Sequence, residues 1–166
     1  MKDKRNYWAE IVSKLNEQNL TIATMESCTG GGIANEITNI SGASSVLKES
    51  YVTYCNEAKI KRGVPAETIA KYTVYSSETA IEMAKAAKKQ AGSNIAVGVT
   101  GQLGRIDSNN PVEKLNCVWY AVIDQNDEIV VEQINVPNDE RKNQKEFVIE
   151  AVASTILRLI CLSKNA

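Results

Sequence analysis

Residues 26–32 read ESCTGGG, placing Ser27, Cys28 and Thr29 on a turn with three glycines. Serine and cysteine are nucleophiles once a base takes their proton. Glycines let backbone N–H groups approach a ligand closely, so such a turn can stabilise an oxyanion or, where a helix begins, hold a phosphate. It reads equally as a tight strand-to-helix connection. Neither GxxxxGK[ST] nor GxGxxG is present.

The 166 residues contain no histidine. A Ser-His-Asp triad and a Cys-His pair are therefore impossible, and lysine is the known substitute base for serine. A lysine with its ordinary pKa of about 10.4 is a poor base at neutrality, and lowering that by ~3 units takes roughly 4 kcal/mol of selective destabilisation of the ammonium. Lys59, in NEAKIKRG (56–63), is placed for this. With Asn56 as N-cap it falls in the first turn of a short helix, where the dipole and burial both disfavour an ammonium. Lys61 lies roughly 200° further round the helix and faces elsewhere. Taken alone, Lys59 also fits a solvated helix lysine, and Tyr54 a half-buried strand residue rather than a proton relay.

These groups need a scaffold. Trp8, Ile11, Val12 and Leu15 mark one apolar face of a helix over 5–18. LTIATM (20–25) reads as a buried strand, and GGIANEITNI as a helix presenting Ile33, Ile37 and Ile40. ESYVTYC (49–55) reads as a second strand, and Pro65 suits the first turn of another short helix. Serine caps, a first-turn Glu78, three late lysines and Gly92 define a helix over 76–92. NIAVGV (94–99) predicts a buried strand leaving through a glycine turn, TGQLG. NCVWYAVID and EIVVEQINV around QND predict a hairpin. A last helix over 139–162 carries Phe147, Ala151, Val152, Ile156, Leu159 and Ile160 on one side. Together these predict one domain over 1–166, a three-layer α/β/α sandwich on a mixed, mostly parallel five-stranded sheet. Ligands collect beyond the carboxyl ends of strands in such sheets, which here means ESCTGGG, YCNEAK and TGQLG.

Composition narrows the function. With 19 basic and 20 acidic residues the net charge is −1, so neither nucleic acid nor membrane is expected as a partner. No apolar run approaches the ~20 residues of a membrane span. MKDKRNYWAEIV lacks the apolar core of a signal peptide, so a cytoplasmic protein is expected. Cysteines 28, 55, 117 and 161 show no CxxC pairing. They are expected to be reduced, mostly buried thiols rather than a metal site.

MESCTGGGIANEI, VTYCNEAKIKRGVPAETI, SSETAIEMAKAA and NIAVGVTG resemble, in order and spacing, the C-terminal domain of the competence/damage-inducible CinA proteins. That domain also occurs alone as nicotinamide-nucleotide amidohydrolase, and the resemblance spans residues 5–160 or so. It implies hydrolysis of the carboxamide of nicotinamide mononucleotide to nicotinate mononucleotide and ammonia, without metal or cofactor. By position, Ser27 is the nucleophile, Lys59 its general base, and Tyr54 assists the proton network. Amides of the 27–31 turn would hold the oxyanion. Cys28 (itself read as packing), Thr29, Gly30 and Gly31, with Thr100, Gly101 and Arg141, are expected around the substrate. Such enzymes are commonly homo-oligomers, dimers above all, with the edge strand of the 116–135 hairpin a candidate interface.

The resemblance weakens after residue 100. The pattern TGxAGP appears as TGQLGR, with Leu103 and Arg105 in place of Ala and Pro. KPVGTV becomes VEKLNCVW, with Leu115-Asn116 for Val-Gly. GDR with a further Arg becomes NDERKNQ, where Arg141 stands in for the first arginine. Bulkier groups are expected to reshape the pocket. A nucleotide-binding or regulatory module without turnover, and a Ser/Lys hydrolase of another amide, are the alternatives.

Overall fold

The computed structural model describes residues 6–110 and 115–162. In chain order it contains α1 (Tyr7–Gln18), β1 (Ile22–Glu26), α2 (Gly32–Thr38), β2 (Leu47–Val52), α3 (Asn56–Lys61), α4 (Ala66–Tyr72), α5 (Ser77–Ala91), β3 (Ile95–Gln102), β4 (Cys117–Ile123), β5 (Ile129–Asn135) and α6 (Arg141–Leu162). The sheet order is β2-β1-β3-β4-β5. β1 pairs in parallel with β2 and β3, whereas β4 runs antiparallel to β3 and to β5. Four strands therefore point the same way and β4 is the exception. The mixed three-layer sandwich is as expected.

Each layer follows from side-chain size. On one face, Trp8, Ile11, Val12 and Leu15 of α1 join Ile33 and Ile37 of α2 and Val148, Val152 and Ile156 of α6 over Val97, Val99, Val118, Tyr120 and Val122. Burying each large aliphatic side chain contributes about 1.5–3 kcal/mol. The opposite face is built from small residues. Ala80, Ala84 and Ala87 of α5 lie against Ala23, Ala96 and Ala121 of the sheet. Gly98 completes this contact: a Cβ there would lie 2.2 Å from Ala80 O and 2.5 Å from Ala84 N. The helix can come this close to the sheet because alanine and glycine leave it room.

Several boundaries differ from the sequence reading. β2 begins at Leu47 and ends at Val52, because after the Thr53 amide bonds Glu26 O (2.9 Å) the chain turns away. Tyr54 is thus a loop residue, 62% exposed. Cys55, not Asn56, is the N-cap of α3; Asn56 lies inside the helix, its Nδ2 donating to Asn110 Oδ1 at 2.8 Å. β3 runs on through the expected TGQLG turn, since Thr100, Gly101 and Gln102 pair with Trp119, Val118 and Cys117. Gly101 permits this pairing: a Cβ there would come within 2.6 Å of Val118 Cγ2. On α6 the buried stripe takes in Gln144, Val148 and Val152, and Phe147, about 100° from Val148, is exposed. All four cysteines are free, but only Cys28 is buried and Cys55 is exposed.

β5 forms one sheet edge, with Ile129 and Val131 exposed. Among the described residues no helix is long and apolar enough to cross a membrane. Residues 1–5 of the N-terminal segment and 112–114 of VEKLNCVW lie outside the described residues.

Candidate active site

The parallel strands end side by side, which brings Ser27 and Thr53 together. Ser27 follows β1 directly, held by its amide on Val99 O at 3.0 Å. Thr53 follows β2, one strand away. α3 then folds back, and Lys59 Nζ lies 3.1 Å from Ser27 Oγ and 2.7 Å from Thr53 O. Lys59 is 1% exposed, and burial lowers its pKa from 10.5 to about 8. The helix N-terminus expected to assist does not: α3 spans six residues and Lys59 falls in its last turn. Lys61 is exposed, as its position on the helix requires.

The glycine turn is organised from beneath by Glu26. This carboxylate is wholly buried and accepts from Thr29 Oγ1 (2.6 Å), Gly31 N (3.1 Å), Ile33 N (3.0 Å), Ala34 N (3.0 Å) and Thr24 Oγ1 (3.2 Å). Buried polar groups need such partners. α2 has no side-chain N-cap of its own, and Glu26 supplies that function from the preceding strand. A phosphate is therefore not expected at this helix start, because a carboxylate already fills it. Gly30 and Gly31 adopt φ of 61° and 91°, a left-handed pair that lets the chain wrap around the carboxylate.

The turn's amides are mostly committed. Gly31 N serves Glu26, Gly30 N donates to Ser27 O at 2.9 Å, and Ser27 N serves Val99. Of the 27–31 turn, the amides of Cys28 and Thr29 are the two that neither Glu26 nor another backbone carbonyl takes up among the described residues. The Thr29 side chain is buried on Glu26 and points away from any substrate. Burial pushes the Cys28 thiol up to about 12, which suits packing rather than attack.

A cavity of about 210 Å³ opens beside Ser27, bounded by Tyr54, Tyr75, Gln102, Leu103, Arg105 and Arg141 among others. Cys28 and Gly101 also border it. Thr100 does not. Its buried hydroxyl donates to Val74 O at 2.8 Å and pins the segment that leads into α5. Arg141, at the start of α6, donates from Nη1 to Leu103 O and from Nη2 to Tyr54 OH at 2.8 Å. Tyr54 is thereby tied to the cleft wall through Arg141, an arrangement that gives no support to a role in the Ser27–Lys59 proton network. Leu103 and Arg105 do border the cleft, whereas Leu115 and Asn116 do not. Asn116 takes φ of 55°, tolerable for Asn where the pattern expects Gly, and its Oδ1 accepts from Gly104 N.

A loop over 105–110 closes one side. Asp107 accepts from Tyr75 OH (3.1 Å), Asn109 N (2.9 Å) and Asn110 Nδ2 (2.8 Å), while Asn110 meets Asn56 of α3. Sequence reasoning missed Glu26, Tyr75, Gln102 and Asp107. Only Glu26 carried a signal, the one charge on a wholly buried strand. A larger cavity, about 330 Å³, is lined by Asn6, Glu36, Glu146 and Glu150 and holds no nucleophile-base pair.

Comparison with known proteins identifies the family. Residues 4–159 match the model of the CinA C-terminal domain. The chain belongs to that family. It is 43% identical over 147 residues to a Clostridium acetobutylicum protein carrying the competence-damage inducible name, covering 88% of this chain and 35% of that protein. It is 37% identical over 154 residues to a CinA-like protein of Kosmotoga olearia, covering 90% of this chain and 37% of that one. The chain thus spans little more than a third of these relatives. Among solved structures, competence/damage inducible protein CihA from Agrobacterium tumefaciens superposes with a TM-score of 0.81 at 29% identity, covering 95% of this chain and 93% of that one. A CinA superfamily protein from Escherichia coli gives a TM-score of 0.86 at 21% identity, over 96% and 93% of the two chains, a likeness of fold.

Proposed function

We propose that this CinA domain is an amidohydrolase that cleaves the carboxamide of nicotinamide mononucleotide with a Ser27–Lys59 pair. The observation that carries the reading is the 3.1 Å contact between Lys59 Nζ and Ser27 Oγ, with the lysine buried. In neutral Lys59, one N–H stays on Thr53 O and the lone pair is left for the Ser27 hydroxyl proton. Ser27 Oγ then attacks the carboxamide carbon as that proton passes to Nζ. The oxyanion falls to the amides of Cys28 and Thr29, donors already fixed in place. The Lys59 ammonium returns the proton to the departing nitrogen as the C–N bond breaks, releasing ammonia. Water, deprotonated by the same lysine, hydrolyses the ester on Ser27 and frees the carboxylate. Tyr54 and Tyr75 offer aromatic walls to the pyridine ring, and Arg105 and Arg141 offer charge to the phosphate.

Ammonia release from a panel of amides tests this. Nicotinamide mononucleotide is expected to be the preferred substrate, and Ser27→Ala to lower turnover by about 10³-fold or more. Preference for a different amide would keep the pair and change the substrate. Full turnover in Ser27→Ala, or none in the unaltered chain, would overturn the reading.

A further inference from the structure

Gln102 borders the cleft and is 5% exposed, yet its Oε1 is buried with no hydrogen-bond partner among the described residues. Its orientation is not free. Nε2 donates to Arg105 O, and a backbone carbonyl can only accept, so the nitrogen must face that carbonyl and the oxygen must face away. Arg105 O is itself set by the 105–110 loop, which Asp107 fastens to Tyr75 and Asn110 fastens to Asn56. A residue that lines the cleft containing Ser27 thus carries a bare, buried acceptor. An unpaired buried acceptor is costly, and a ligand that donates to it removes that cost.

We propose that Gln102 Oε1 is a specificity determinant that accepts a hydrogen bond from the –NH2 of the substrate carboxamide. This rests on the amidohydrolase reading and adds to it a means of telling substrate from product. A carboxamide nitrogen donates; the carboxylate that replaces it has only acceptor oxygens at neutral pH. Gln102 therefore attracts the amide and repels the acid, which favours release of product once the nitrogen has left.

Calorimetry on a Ser27→Ala background, where the amide persists, provides the test. The probes are nicotinamide mononucleotide, its acetyl analogue with –CH3 in place of –NH2, and nicotinate mononucleotide. With Gln102 present, the amide is expected to bind roughly 10- to 100-fold more tightly than either of the others. In Gln102→Met, which keeps the length and loses the acceptor, that preference should fall to within a few-fold of unity. A role confined to holding Arg105 O would weaken all three probes together and leave their ratios unchanged, which would overturn the proposal. Should Gln102→Met fail to fold, the amide-to-acetyl ratio with Gln102 intact decides, and a ratio near unity overturns it. Such a ratio alongside turnover by the unaltered chain sinks the Gln102 role alone. Absence of both turnover and amide binding sinks the hydrolase reading with it.

Discussion

Lys59→Arg is expected to lower amide hydrolysis by about 10²–10⁴-fold, the usual loss when a positioned general base is removed. Guanidinium keeps its charge at any accessible pH and cannot accept the Ser27 proton. Lys59→Met should be equally inactive, but more stable than the unaltered chain at pH 7. The sign follows from linkage. Burial lowers the Lys59 pKa from 10.5 to about 8, so at pH 7 the folded protein carries a buried ammonium that costs about 3 kcal/mol relative to the unfolded chain. Methionine removes this cost and gives up the contacts to Ser27 and Thr53, leaving a gain of about 1–3 kcal/mol. The gain should shrink as pH rises from 8 to 10.5, where the folded lysine has lost a proton that the unfolded one still holds. Urea denaturation across that range measures it. An active Lys59→Arg protein, or a Lys59→Met protein less stable than its parent at pH 7, would contradict the pair.

Glu26→Ala is expected to have the largest effect on folding. It would strand the buried Thr29 hydroxyl and the amides of Gly31, Ile33 and Ala34, all of which depend on this carboxylate. Each buried unpaired group costs about 1–3 kcal/mol, and the costs are not additive within one network. A loss of about 3–5 kcal/mol is expected, enough to unfold many marginally stable domains. Glu26→Gln keeps one acceptor oxygen but turns an –NH2 toward backbone N–H donors, so it should fall between the two. A loss below about 1 kcal/mol on Glu26→Ala would mean that water replaces the carboxylate.

The elements were legible where packing follows local periodicity. Trp8, Ile11, Val12 and Leu15 face the core as their spacing requires, and Ser76 and Gly92 cap α5 as their chemistry requires. Failures came where a distant partner decides. Thr100 and Gly101 look like a glycine turn until β4 pairs with them, and Tyr54 looks like a strand residue until Glu26 O ends the pairing at Thr53. At the site, the absence of histidine and the position of Lys59 pointed to a lysine base. The source of its lowered pKa was only half legible, since α3 is too short for its dipole to act as expected. Glu26 as a helix cap, and Gln102 as a bare acceptor, depend on atoms brought together from separate strands and loops. No local pattern encodes them.

The pH dependence of kcat/KM for ammonia release from nicotinamide mononucleotide tests the Ser27–Lys59 pair most directly. If neutral Lys59 is the base, kcat/KM rises with pH along a single ionisation near 8 and levels off above it, the value to which burial brings the Lys59 ammonium. Only about a tenth of the free enzyme is then competent at pH 7. A profile that is flat or falls between about pH 6 and 9, or that keeps its rise unchanged in Lys59→Arg, would contradict the pair and leave Ser27 without its base.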